Sequence, residues 1–210
     1  MNTSWTRSAL AAALSTLLAA CNGGGGSNGN ASSAVSKPDN NTPQPLVRSE
    51  IRLDNIVDPA LRTCVERLNI NYTDQLQLLN CPSKGIQSLD GIEQFDHTIV
   101  INLMDNQISD LSPLAALDSM QSLDISNNSL NDISPISQHK ALRILSISNN
   151  RLKTIDPLQQ LSTLQRLYVQ NNEIHDLNMI SGMNNLISLR ADQNPAPLPA
   201  VIPQSMSYRI

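Results

Sequence analysis

Ile101-Asn-Leu-Met-Asp-Asn-Gln-Ile-Ser-Asp-Leu-Ser-Pro-Leu114 decides the fold, because its pattern returns at a fixed interval. Asn106 is followed by Asn128, Asn150, Asn172 and Asn194, each 22 residues after the last. Self-similarity at a period of roughly 20–29 residues marks a solenoid of stacked coils. Apolar columns travel with the asparagines. Three positions before each stand Leu103, Ile125, Ile147, Val169 and Ala191, and five before stand Ile101, Leu123, Leu145, Leu167 and Leu189. Leu111, Ile133, Ile155 and Leu177 follow in the second half of the period, then Leu114, Ile136, Leu158 and Ile180. Pro113, Pro135 and Pro157 form a column of their own.

The positions five and three before Asn alternate with polar residues, which is the period of a strand. Each coil thus contributes one short strand, and successive strands stack in parallel. The proline column suits a tight return turn or a 3₁₀ segment, since proline fixes φ and lacks an N–H. The inward columns bury a core that no single repeat could bury alone. The asparagines satisfy buried backbone groups where the coil turns, which gives Asn106, Asn128, Asn150, Asn172 and Asn194 an architectural role. Asn149, the outer member of its doublet, is expected to be dispensable. One more coil lies upstream: Leu76, Leu79, Cys81, Ile86, Leu89 and Ile92 fit the columns, with Lys84 in place of the asparagine. Past Asn194 the pattern dissolves into prolines, and Val201 and Ile202 are expected to help lid the last coil.

The quoted segment resembles the 22-residue leucine-rich repeat of internalin-like bacterial proteins. Leu76 to Phe95, with Cys81 and Gly91-Ile-Glu, is similar to the opening coil of bacterial members. The resemblance covers about Ile56 to Asn194. It implies an α/β solenoid: a right-handed leucine-rich repeat superhelix with a parallel concave β-sheet, a short 3₁₀ and turn convex side, and an N-terminal helical cap. Fold of this kind does not specify function, which must be argued from the surface.

Residues 1–20 read as a lipoprotein signal peptide. Arg7 supplies the positive charge, Ser8 to Leu18 the short apolar run, and Leu18-Ala-Ala-Cys21 resembles a lipobox whose Cys21 is lipidated. An ordinary secretory signal with a chance Cys is the alternative. Asn22 after the Cys favours the outer membrane, by resemblance to sorting in Gram-negative bacteria. Residues 21–47 comprise the lipidated Cys and a flexible tether rich in Gly, Ser, Asn and Pro, reaching on the order of 25–30 Å. Residues 48–75 form an N-terminal cap with a helix, 76–194 the repeats, and 195–210 a C-terminal cap or tail.

Cys64 and Cys81 remain as an even pair in an oxidising compartment. Asp58-Pro59 reads as N-cap and first helical residue. Leu61, Cys64, Val65 and Leu68 form one helix face, so a bridge from Cys64 to Cys81 is the natural reading. Two buried free thiols or half a metal site are the alternatives, and no CxxC pair supports the latter.

The chain has 210 residues and a formal net charge of −4, without the basic stripe of a nucleic-acid binder. Aromatics are 2% of residues, too few for base or sugar stacking. Hydrolase, metalloprotease and phosphate-loop motifs are absent, so neither enzymatic activity nor a cofactor is expected. His97, His139 and His175 occupy unrelated columns, and His139 takes a place filled elsewhere by Leu117 and Leu161, as a partly buried core residue. Asp110, Asp132 and Asp176 recur in one column as turn residues, with a weak Ca²⁺ alternative.

Function is expected on the outward strand positions. The C-terminal coils gather Arg166, Tyr168, Gln170, Arg190 and Asp192 there, with the Tyr and Arg types enriched at interface hot spots. The N-terminal coils show small apolar and polar groups, among them Val100 and Asn102. The expectation is a monomeric, membrane-tethered module that binds a protein partner. A structural, envelope-organising lipoprotein without a soluble partner is the alternative.

Overall fold

The computed structural model describes residues 48–197, Pro199 and residues 206–209. The expected signal peptide, Cys21, the expected tether, Val201 and Ile202 lie outside the described residues.

Among the described residues, seven three-residue strands form one parallel sheet in chain order: β1 Leu78–Asn80, β2 Val100–Asn102, β3 Ser122–Asp124, β4 Ile144–Ser146, β5 Arg166–Tyr168, β6 Ser188–Arg190 and β7 Ser207–Arg209. From β1 to β6 each residue pairs with the one 22 positions on, as Leu79↔Ile101 and Leu145↔Leu167. The central residue of each of these six strands is buried, and the repeating apolar columns join into a single core. Return segments are short 3₁₀ turns, including Ser112–Ala116, Ser134–Ile136 and Asp156–Gln160. Pro113, Pro135 and Pro157 stand at their starts, where a fixed φ helps and a missing N–H costs nothing. Just before these turns, Asp110 and Asp132 each accept the N–H two residues on, from Ser112 and Ser134, both at 2.8 Å. Asp176 does the same for Asn178.

The asparagine column bridges adjacent coils through their backbones. Asn150 Nδ2 donates to the carbonyls of Ile125, Ile147 and Ser148, while its Oδ1 accepts the Leu130 N–H at 2.9 Å. Asn106, Asn128, Asn172 and Asn194 repeat the arrangement, each accepting an amide from the coil before it. The neighbouring column has a different task. Ser83, Asp105, Asn127, Asn149, Asn171 and Gln193 have φ of 54°, 59°, 56°, 56°, 53° and 61°. This left-handed conformation is costly for most L-residues and easiest for Asn and Asp. Asn149 is therefore not dispensable, because each coil makes its sharp turn at this column.

At the front, helix α1 spans Pro59–Glu66 and buries Leu61, Cys64 and Val65. Asp58 caps it, accepting from Ala60 N and Leu61 N through Oδ1, and its Oδ2 accepts from Gln87 N and Ser88 N in the first coil. Burial alone would raise this carboxyl, but the four amide donors outweigh it and hold the pKa below the usual range. Cys64 and Cys81 are joined by a disulfide, with Cα atoms 6.0 Å apart. Gly91 has φ +94°, and a Cβ there would run into the Asn55 carbonyl and lie 2.7 Å from Ile56 Cα.

His139 is fully buried rather than partly so, at 1% exposure. Its Nε2–H donates to the Leu114 carbonyl at 2.9 Å. Its Nδ1 is buried without a hydrogen-bond partner. Burial lowers the pKa of the ring, so the neutral form is favoured.

The far end departs from the period. The step from Arg190 to its partner Arg209 is 19 residues, where the earlier strands step by 22. Gln107, Ser129, Arg151 and Glu173 each donate the N–H just after the asparagine to the coil before. Pro195 has no N–H to give, and Ala196 N donates to the Ile174 carbonyl at 2.8 Å instead.

Candidate functional site

Successive Cβ atoms of a strand point to opposite faces, so the first and third residue of each strand lie on the face away from the core. The third residues form one row across the sheet: Asn80, Asn102, Asp124, Ser146, Tyr168, Arg190 and Arg209. The first residues run Leu78, Val100, Ser122, Ile144, Arg166, Ser188 and Ser207.

The N-terminal end of this face offers less surface than its position suggests. Val100 and Asn102 are buried, at 5% and 7% exposure. Asn102 is also engaged, donating from Nδ2 to Asn80 Oδ1 at 2.8 Å and accepting the Met104 N–H. In the middle, desolvation pushes the Asp124 carboxyl up in pKa, although its Oδ1 accepts the Ser126 N–H.

The C-terminal end is more open. Arg166, Tyr168, Gln170 and Asp192 are half-buried and Arg190 is exposed. Tyr168 and Arg190 are register partners on adjacent strands, and Arg166 lies two residues before Tyr168 on β5. Gln170 Oε1 accepts the Ser148 hydroxyl at 2.6 Å, so part of that amide is spent within the protein. Asp192 Oδ2 lies 3.9 Å from Arg209 Nε, and its Oδ1 is buried without a hydrogen-bond partner. Arg209 is the member that column arithmetic misses, since β7 enters at a different spacing. With strands about 4.8 Å apart, Tyr168, Arg190 and Arg209 span roughly 10 Å in one line. The array can stack, donate paired N–H groups to carboxylates and attract negative charge.

Of the other sequence candidates, His97 is exposed beside Asp96 and His175 is exposed. Among the described residues no group of three or more His, Cys, Asp or Glu is placed to hold a metal ion, and no helix is long and apolar enough to cross a membrane.

Residues 99–138 and 140–182 match the family model of leucine-rich repeats in two copies. These two segments carry leucine-rich repeats. Among solved structures it is similar to an internalin of Listeria monocytogenes, with TM-score 0.66 and 24% identity over 71% of this chain and 47% of that one. It is also similar to a leucine-rich repeat protein of Leptospira interrogans, with TM-score 0.56 and 30% identity over 59% of this chain and 33% of that one. The chain thus spans less than half the length of either structure. No curated protein matches it.

Proposed function

We propose that this chain is a non-enzymatic protein-interaction module, held to a bacterial outer membrane by lipid on Cys21, that presents the β5–β7 end of its sheet to an acidic surface of a protein partner. The observation that carries the reading is the in-register row of Tyr168, Arg190 and Arg209. One aromatic beside guanidinium groups is a compact anchor for carboxylates, and Arg166, Gln170 and Asp192 complete its rim. The leucine-rich repeat architecture supports the reading, because stacked coils build extended binding surfaces.

The test is cross-linking capture with residues 48–210, followed by affinity measurement on the partner obtained. Tyr168→Ala should weaken binding by about 2 kcal/mol, roughly 30-fold, with little change in melting temperature. Ser122→Ala, on the neutral part of the same face, should leave affinity unchanged. A loss confined to Ser122→Ala would discard the patch. For the anchor, Cys21→Ser should release the protein from the membrane fraction. A mature-size Cys21→Ser band that still sediments with membranes would refute lipidation.

A further inference from the structure

We propose that the cleft between α1 and β1 is a second binding site, which takes a carboxylate side chain from an extended acidic peptide between Arg67 and Lys84. The cleft has a volume of about 350 Å³. Its lining combines the apolar Ala60, Cys64 and Leu68 with the polar Thr63 and Asn80 and the cations Arg67 and Lys84.

Three observations converge on it. First, Lys84 stands in the column that elsewhere holds the bridging asparagine. Its amide is satisfied by Asn106 Oδ1 at 3.0 Å, but among the described residues no strand precedes β1 whose carbonyls its side chain must serve. The side chain is thereby released from the architectural duty of its column and lines the cleft. Second, Arg67 is the residue at which α1 ends, and its exposed side chain lines the same cleft. Among the described residues neither cation is in an ion pair, and no carboxylate lines the cleft. Two like charges that line one cleft without a counter-ion favour an anionic guest there. Third, the walls are fixed, since the disulfide and Asp58 both tie α1 to the first coil. A fixed site binds with less loss of conformational freedom.

The chemistry selects among anions. Two cations beside an apolar wall suit one carboxylate with an apolar neighbour better than a phosphate-rich strand or a lipid surface.

The probe is a dye-labelled hexapeptide of alternating Glu and Leu, titrated against residues 48–210 by fluorescence anisotropy. Controls are the same peptide with Gln for Glu, inorganic phosphate as competitor, and vesicles of phosphatidylcholine with phosphatidylserine. Saturable binding of the Glu peptide, absent for the Gln peptide, is expected. Arg67→Gln and Lys84→Gln should each weaken it about tenfold, the effect of one charge-assisted hydrogen bond. Arg151→Gln, with the same charge change elsewhere, should not. Both cleft variants replace exposed side chains, so their thermal melts should overlay the parent, and Lys84→Arg should retain binding. Equal binding by the parent and the double variant would overturn the proposal. So would equal binding of Glu and Gln peptides, the absence of peptide binding, or cation-dependent binding of phosphate or vesicles alone.

Discussion

Replacing Asn150 by Ala removes the side chain that joins two coils, and the loss can be worked from its partners. The three carbonyls it serves keep other donors. Ile125 O still accepts from Asn128 Nδ2, Ile147 O from Asn172 Nδ2, and Ser148 O from Asn127 N. The Leu130 amide has no such reserve: its hydrogen bond goes to Asn150 Oδ1, and the residue is 0% exposed. An orphaned buried N–H costs about 1–3 kcal/mol, and the lost donations add to it, so Asn150→Ala should destabilise by about 2–3 kcal/mol. Asn149→Ala acts through the backbone. It places Ala at φ +56° and removes the acceptor for Asn171 Nδ2, at a cost of about 1 kcal/mol. Asn149→Gly keeps the turn without the steric cost and should stay within about 0.5 kcal/mol of the parent. Urea denaturation of residues 48–210 measures all three. Equal losses for Asn149→Ala and Asn149→Gly would remove the backbone argument. A loss at Asn150 no larger than that at Asn149 would show that the Leu130 amide finds another partner.

Asp58→Ala should cost about 2–4 kcal/mol by thermal or urea melt, since it loses the helix cap and leaves the Gln87 and Ser88 amides unpaired. Because its folded pKa is depressed, its contribution is present above the ordinary value of 3.8 and lost as pH falls through the folded value, which an acid titration of stability follows. His139 also favours high pH, by the opposite chemistry. Its folded pKa lies below 6.5, so stability should fall as pH drops below that ordinary value while the unfolded chain takes up the proton. His139→Leu should flatten that part of the stability–pH curve, and an unchanged slope would assign it to other groups. Gly91→Ala should lower the melting temperature sharply, because both its φ and the Asn55 carbonyl exclude a Cβ.

The repeat was legible because every coil uses the same register. Once Asn106 and its successors are aligned, Leu79, Ile101, Leu123, Leu145, Leu167 and Leu189 fall on the strand centres they occupy. The proline column marks the return turns for a local reason, a fixed φ. What stayed hidden does not depend on spacing alone. Asp105 and Asn127 look like spare polar residues until the backbone shows their positive φ. Val100 and Asn102 alternate as exposed positions should, yet they are buried, and Asn102 is held by hydrogen bonds to Asn80 and Met104. Arg209 escaped because β7 follows β6 at 19 residues, so no column of the 22-residue frame reaches it.

The asparagine bridges run one way along the chain. Each Oδ1 accepts an amide belonging to the coil already made, so a coil completes its hydrogen bonding only when the next asparagine arrives. During synthesis on a ribosome, which proceeds from the N-terminus, the newest coil is always provisional and the one behind it final. Among the N–H groups that the growing tip leaves waiting for the next coil, one is met only by the coming asparagine side chain, at Ile108, then Leu130, then Leu152, then Ile174. Pro195 ends the series. By withholding one amide it lets Ala196 donate to the Ile174 carbonyl, and no further asparagine has to emerge before this coil is satisfied.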